Sequence, residues 1–321
     1  MKNPRHSVAF ALVVSTLLPL ALRAQSVEQG IQLFDAKKYV EAREVLLLHG
    51  QGDASAAFYL GRIEMENGDG AKAAEWFEGA LRKNPKSAVY YDWLGRAYAT
   101  QAQNVSLFKG PFLARKAKDA LETALALDPD NLDVRDDLVR YYAGAPGFVG
   151  GSKEKAGAMV LEIKKRNAYR GSLAAANLCA GQKDISCAER ELTEMVTSYP
   201  DSAAVYASLA VLYVTLKQFD KAFVVLDKRL RAKPNEPMTL YQAGRTASLS
   251  GQNLDWGEKA LKTYLANPAP ERGPAPAHVH YRLGTIYEQK GAKVLAREEY
   301  RTALKLNPKH KEALKALAGL K

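Results

Sequence analysis

The chain has 321 residues, of which 47% are apolar and 25% charged, an ordinary balance for a folded protein that excludes wholesale disorder. Two cysteines exclude a disulfide-framework fold and a multi-cysteine zinc site. Lys and Arg total 46 against 35 Asp and Glu, a net charge of +11 that is spread along the chain and defines no concentrated basic surface.

Residues 1–24 read as a secretory signal peptide. Lys2 and Arg5 give a positive start, Val8 to Leu22 an apolar stretch, and Ala24 precedes Gln25 and Ser26 as a cleavage point. The stretch is broken by Ser15, Thr16 and Pro19 and is shorter than the roughly 20 clean apolar residues of a membrane span. No later stretch is apolar enough to cross a bilayer. The expected mature chain is therefore exported, to the periplasm or beyond, with no transmembrane segment. Nucleic acid is not expected as a partner there.

Beyond residue 24 one pattern recurs with a period of 34: Gly61 and Gly95, Ala188 and Ala222, Leu192 and Leu226, Pro200 and Pro234. Numbering each unit from 1 to 34, position 8 holds Gly30, Gly61, Gly95, Val139, Ala176, Ala210, Gly244 and Gly284. Position 20 holds Ala42, Ala73, Ala117, Ala156, Ala188, Ala222, Gly257 and Ala296, and position 24 a large residue from Leu46 to Tyr300. Glycine inside a helix costs about 1 kcal/mol relative to alanine, so its return at position 8 requires a close helix crossing. Prolines 85, 129, 200, 234 and 308 close the second helix of their units.

This pattern resembles the tetratricopeptide (TPR) repeat. The resemblance implies an all-α fold, a right-handed superhelix or α-solenoid of about eight helix-turn-helix units over residues 25–309, with a capping helix at 310–321. Length alone would suggest two domains; a repeat array needs no such division. Ala313, Leu314, Leu317 and Leu320 form the expected apolar face of the cap. The stretch APGFVGGSKEKA, from Ala145, also resembles a segment of bacterial TPR proteins of unassigned role.

Three departures interrupt the period. About ten extra residues lie near 103–113 and about five near 144–155, both where the first helix of a unit turns into the second. Stacking in register places these two loops side by side, with Leu107, Phe108, Phe112, Phe148 and Val149 as an apolar lip, either for a ligand or for packing loop on loop. The third, at 267–277, is spaced by four prolines and reads as a stiff connector.

In the TPR family the concave groove is lined by the first helix of each unit, chiefly positions 2, 5, 9, 12 and 13. Position 9 here supplies Arg62, Arg96, Arg140, Asn177 and Arg245, and position 5 supplies Phe58, Asp92, Asp136, Tyr241 and Tyr281. Guanidinium forks suit carboxylates, and aromatic rings give rigid contact area, so the resemblance implies a groove for an extended, partly acidic peptide. Asp92 with Arg96 and Asp136 with Arg140 are spaced to satisfy each other instead. Arg62 and Arg245 have no position-5 acid. The Lys and Asn set of the chaperone-tail carboxylate clamp is absent from the first three units, whose position-5 residues are Val27, Phe58 and Asp92.

Cys179 and Cys187 lie either side of a helix turn. In an oxidising compartment they could close a loop of roughly nine residues worth about 2.5 kcal/mol; the alternative is two small buried thiols. His278 and His280 are the nearest histidines in sequence, without the further ligands a metal needs. No catalytic, phosphate-loop or dinucleotide motif appears, and no cofactor is implied. The expected function is non-catalytic: a protein-protein interaction scaffold, in one form an envelope assembly factor. The alternative is a glycan-binding protein or enzyme that uses the paired loops as a pocket.

Overall fold

A computed structural model describes residues 26–105, 109–267 and 273–320. The signal segment 1–24, Leu107, Phe108, Pro268 and Pro270 lie outside the described residues. Seventeen α-helices and no strand occur among the described residues.

The helices form two compact units, Met1–Ser152 and Lys153–Lys321. The first contains α1 (Val27–Asp35), α2 (Tyr39–Leu47), α3 (Ala54–Glu66), α4 (Gly70–Lys83), α5 (Ala88–Gln103), α6 (Gly110–Leu127) and α7 (Leu132–Gly144), followed by a 3-10 turn at Gly147–Val149. The second contains α8 (Lys153–Arg166), α9 (Ala168–Gly181), α10 (Ile185–Ser198), α11 (Ala203–Thr215), α12 (Phe219–Ala232), α13 (Pro237–Ser250), α14 (Leu254–Ala266), α15 (Pro276–Gln289), α16 (Lys293–Leu306) and α17 (Lys311–Gly319).

Local chemistry sets the helix limits. The Asp53 carboxylate accepts from the Ala56 N–H at 2.8 Å to cap α3, and Asp69, Ser87, Asn131, Asn167 and Asp184 cap later helices in the same way. Before each closing proline the chain leaves the helical region: Asn84 has φ −132° and ψ 79°, Lys233 φ −136° and ψ 78°. Where no insertion intervenes, position 15 turns the chain in the left-handed region, at Lys37, Gly68, Lys183, Lys217, Gly251 and Gly291.

The position-8 glycines sit where one helix crosses the next. A methyl at Gly30 would fall 2.6 Å from Leu46, at Gly61 2.5 Å from Phe77, at Gly95 2.7 Å from Leu121 and at Gly284 2.5 Å from Tyr300. Those partners are the large residues of position 24, so one glycine and one bulky side chain share each crossing.

A second link ties one helix pair to the next. The hydroxyl of Tyr98 donates to Glu78, Tyr142 to Glu122 (2.6 Å), Tyr213 to Glu189 (2.9 Å) and Tyr287 to Glu258 (3.0 Å). The tyrosines all occupy position 11. Burial and then the adjacent carboxylate push Tyr213 up to about 12 and Tyr98 and Tyr142 upward as well. In α9 position 11 is Cys179, which is joined to Cys187 of α10 with Cα atoms 5.7 Å apart.

Glu258 gathers the densest of these links, accepting Lys262 and Lys290 at 2.6 Å as well as Tyr287. Burial opposes its charge, but those donors hold it down at about 2. A depressed carboxylate stabilises the fold above its unfolded value near 4.5 and loses that contribution as pH falls toward 2. Glu258→Gln should therefore melt below the parent chain at pH 7, and the gap should close between pH 4.5 and 2. A gap independent of pH would remove the ionic account.

The insertions are more helical than expected. Residues 110–113 belong to the first turn of α6, where Pro111 needs no N–H partner, and α5 runs on to Gln103. The second insertion is pinned by side chains of α6 and α7: Arg115 donates to the Phe148 carbonyl at 2.8 Å, and the Tyr141 hydroxyl to the Val149 carbonyl at 2.6 Å. In the proline connector, Tyr264 donates to the Pro274 carbonyl at 2.9 Å. The cap corrects one expectation. Its inner stripe is Ala313, Ala316, Leu317 and Leu320, the i, i+3, i+4, i+7 set, while Leu314 is 49% exposed.

Candidate functional site

In the first unit, Arg62 on α3 projects among aromatic rings. Its guanidinium carbon lies 3.8 Å from the centre of Trp93 on α5, 5.1 Å from Phe34 on α1 and 5.8 Å from Phe58. Phe58 in turn stacks on Tyr90 at 4.8 Å. The Arg62 Nε is buried and has no hydrogen-bond partner, and no described carboxylate pairs with the group. Burial holds this guanidinium below its ordinary value, against the opposing pull of Tyr59 and Glu66 and with some repulsion from Arg96. Ring faces offset a part of the desolvation, about 0.5–2 kcal/mol, and Glu66 one turn along α3 acts on the charge without a direct ion pair.

Arg96 and Arg140 differ. The Arg96 Nε lies 2.9 Å from Asp92 and 2.8 Å from Asp137, and Arg140 also pairs with Asp137. Arg140, 71% exposed, thus meets Asp137, the neighbour of the expected Asp136 and the carboxylate buried against Arg96. Burial raises the Asp92 carboxyl against the pull of Arg96. Arg96 and Arg140 are thus each paired with a carboxylate, unlike Arg62.

Beside the ion cluster a cavity of about 350 Å³ opens between α5, α6 and α7. Ala99, Ala102, Ala114 and Ala117 form its walls, with Arg96 and Tyr141 among its polar members. Phe148 does not line it: its ring is 69% exposed.

In the second unit Asn177 is exposed on α9. Arg245 on α13 reaches only Gln242, at 3.5 Å. Arg282 on α15 stacks over Tyr281 at 5.2 Å, and the Tyr281 ring lies 5.1 Å from His310 and 5.9 Å from Tyr300. Tyr241 packs at 6.2 Å from Tyr264. The histidine neighbours differ from the sequence expectation. His278 bonds to His310, 3.0 Å away across 32 residues, and His280 to Glu299 at 2.6 Å.

Trp93, Arg282 and His310 are therefore additions to the expected set. Trp93 and Arg282 both occupy position 6, adjacent to the position-5 residues already singled out, and that adjacency was the available signal. Among the described residues, no helix is long and apolar enough to cross a membrane and no cluster of His, Cys, Asp and Glu could hold a metal.

These stacked pairs, with small residues at each crossing, define a helical-repeat protein. The model of the tetratricopeptide repeat matches residues 20–88, and a second model of that repeat matches 277–310. The chain is similar to a tetratricopeptide repeat protein from Parabacteroides merdae, with a TM-score of 0.54 and 15% identity over 91% of this chain and 96% of that one. It is also similar to human IFIT1, solved as a dimer with m7Gppp-AAAA, with a TM-score of 0.51 and 14% identity over 91% of this chain and 71% of that one. At such identities the likeness is one of fold. No curated protein matches the sequence. The fold is thus built of tetratricopeptide repeats, which generally mediate protein-protein contact.

Proposed function

We propose that this chain is an exported, non-catalytic scaffold that holds an extended, partly acidic peptide segment of a partner protein along its first-helix wall, as an envelope assembly factor would. The observation that carries this reading is Arg62. A half-buried guanidinium fixed on Trp93, with a buried Nε lacking any acceptor, is an incomplete ion pair that a ligand carboxylate would complete. Within the second unit by itself, Arg245 is a cation with no described carboxylate partner. Arg96, Arg140 and Asn177 would contribute contact rather than charge. The alanine-walled cavity suits an aliphatic side chain better than a sugar ring, which favours the peptide over the glycan or enzyme alternative.

A fluorescent peptide of alternating Glu and Leu and its Gln counterpart test the reading by anisotropy. Arg62→Ala should weaken the Glu peptide by roughly tenfold or more, as for loss of a charged hydrogen bond, and leave the Gln peptide unchanged. Arg231→Ala, which removes an exposed arginine paired with Asp227, should change neither. Equal affinity of the parent chain and Arg62→Ala for the Glu peptide would refute the groove assignment.

A further inference from the structure

We propose that the cavity between α5, α6 and α7 seats a bulky aliphatic side chain of the bound segment (leucine, isoleucine or methionine) two or three residues from the acidic residue at Arg62. The seat rests on the groove reading, and it fixes the sequence pattern of the partner. The helices themselves leave the space. α5 runs on to Gln103 and α6 begins at Gly110, and the walls present methyl groups from Ala99 and Ala102 on one helix and Ala114 and Ala117 on the other. Each pair is spaced i, i+3, so its two methyls share one helix face. On α7 the Tyr141 hydroxyl is tied to the Val149 carbonyl at 2.6 Å, which holds its ring at the wall. The volume of about 350 Å³ falls at the lower end of small-ligand pockets, roughly 300–1,000 Å³.

Trp93 sets the spacing. The Arg62 guanidinium carbon lies 3.8 Å from the centre of its ring, and the Arg96 guanidinium carbon 5.1 Å from the same centre. Arg96 also lines the cavity. The two guanidiniums are therefore less than three residues of extended chain apart, at about 3.3 Å per residue. A segment whose carboxylate meets Arg62 thus delivers its second or third neighbour to the cavity. The wall further favours a peptide over a plain hydrocarbon chain. The Asp137 side chain is only 8% exposed, and its Oδ2, 2.8 Å from the Arg96 Nε, accepts no aligned hydrogen bond. Arg96 and Arg140 already answer its charge, so a neutral donor suits it better than a further cation. A main-chain N–H of the segment supplies that bond, which an alkyl chain cannot.

The test is anisotropy of labelled peptides on the full chain. Each peptide carries one Glu in a Gly-Ser background, with Leu or Ala placed two, three or six residues away on either side. Leu at two or three residues should bind roughly tenfold more tightly than Ala, and the advantage should shrink at six. The side that shows the advantage gives the direction of the segment along the wall. Ala114→Leu and Ala102→Leu fill the cavity from opposite helices. In whichever of them keeps the circular dichroism of the parent chain, the preference for Leu should vanish while the preference for Glu over Gln persists. Arg62→Ala should do the reverse, removing the preference for Glu and keeping that for Leu. Glu preferred through Arg62, but Leu and Ala bound equally at every spacing, would overturn the seat and leave the groove standing. So would a preference for Leu that survives in the filled variants. Binding of the Glu peptides that is indifferent to Arg62→Ala would remove the groove reading and the seat with it.

Discussion

Arg229→Ala will cost about 3–5 kcal/mol of stability, because it strands a partly buried carboxylate and two main-chain carbonyls at once. The Arg229 side chain is 4% exposed. Its Nε and Nη2 clamp Glu236 at 2.9 and 2.5 Å, Nη1 donates to the Pro200 carbonyl at 2.8 Å, and Nη2 to the Asp201 carbonyl at 2.8 Å. One guanidinium thus joins the end of α12 to the turn before α11 and to Glu236, the first residue before α13. Burial alone would raise Glu236, but the bonds from Arg229 and Thr239 hold it below the ordinary carboxylate value. That contribution is present above pH 4.5 and fades as pH falls, so the deficit of Arg229→Ala should narrow in acid. Removing both partners, as Arg229→Met with Glu236→Gln, should recover much of the loss. Urea unfolding combined with hydrogen exchange in α12 and α13 checks the effect, since a repeat array need not unfold in one step. A loss under about 1 kcal/mol would show that solvent already satisfies these groups.

Arg229 was not singled out from the sequence, and the reason separates the legible features from the rest. Gly30, Gly61, Gly95, Gly244 and Gly284 were readable because the same steric demand returns at one position of five units, and repetition exposes it. For Cys179 and Cys187, which flank one tight turn, the sequence left a bridge and two buried thiols both open, and the structure joins them. The tyrosine links were not legible. Tyr98 and Tyr142 find their glutamate five residues after the position-20 alanine, Tyr213 and Tyr287 one residue after position 20. Those sites are four residues apart on one helix face, so a long side chain serves from either, and no single column of the repeat records it. The arginine ladder was half legible. Sequence spacing identified Arg62 and Arg245 as cations without a position-5 acid, but which carboxylate Arg140 meets depends on Asp137 being turned toward Arg96 on the preceding helix pair. The pairing of His278 with His310 joins α15 to the cap, a tertiary contact that no local pattern encodes.

Two glycines of the second unit, fourteen residues apart, should respond to alanine with opposite signs. Gly157 lies inside α8 with nothing within 4 Å of an added methyl. Gly157→Ala should stabilise the chain by about 0.5–1 kcal/mol, since alanine restricts the unfolded backbone and favours the helix. Gly171, in α9, is buried, and a methyl there would land on the backbone N and Cα of Lys164 near the end of α8. At position 8 the added methyl meets a side chain such as Leu46, which can rotate. At Gly171 it meets main chain, which can yield only if α9 moves off α8. Gly171→Ala should therefore cost about 3 kcal/mol, the upper part of the usual overpacking range, despite the same gain in helix propensity. The displacement would also spread to the adjoining α9–α10 turn, so the mutant should expose the Cys179–Cys187 bridge to reductant sooner than the parent chain does. Denaturant midpoints of the two variants decide the matter: a Gly171→Ala chain as stable as Gly157→Ala would mean that α8 and α9 do not approach this closely.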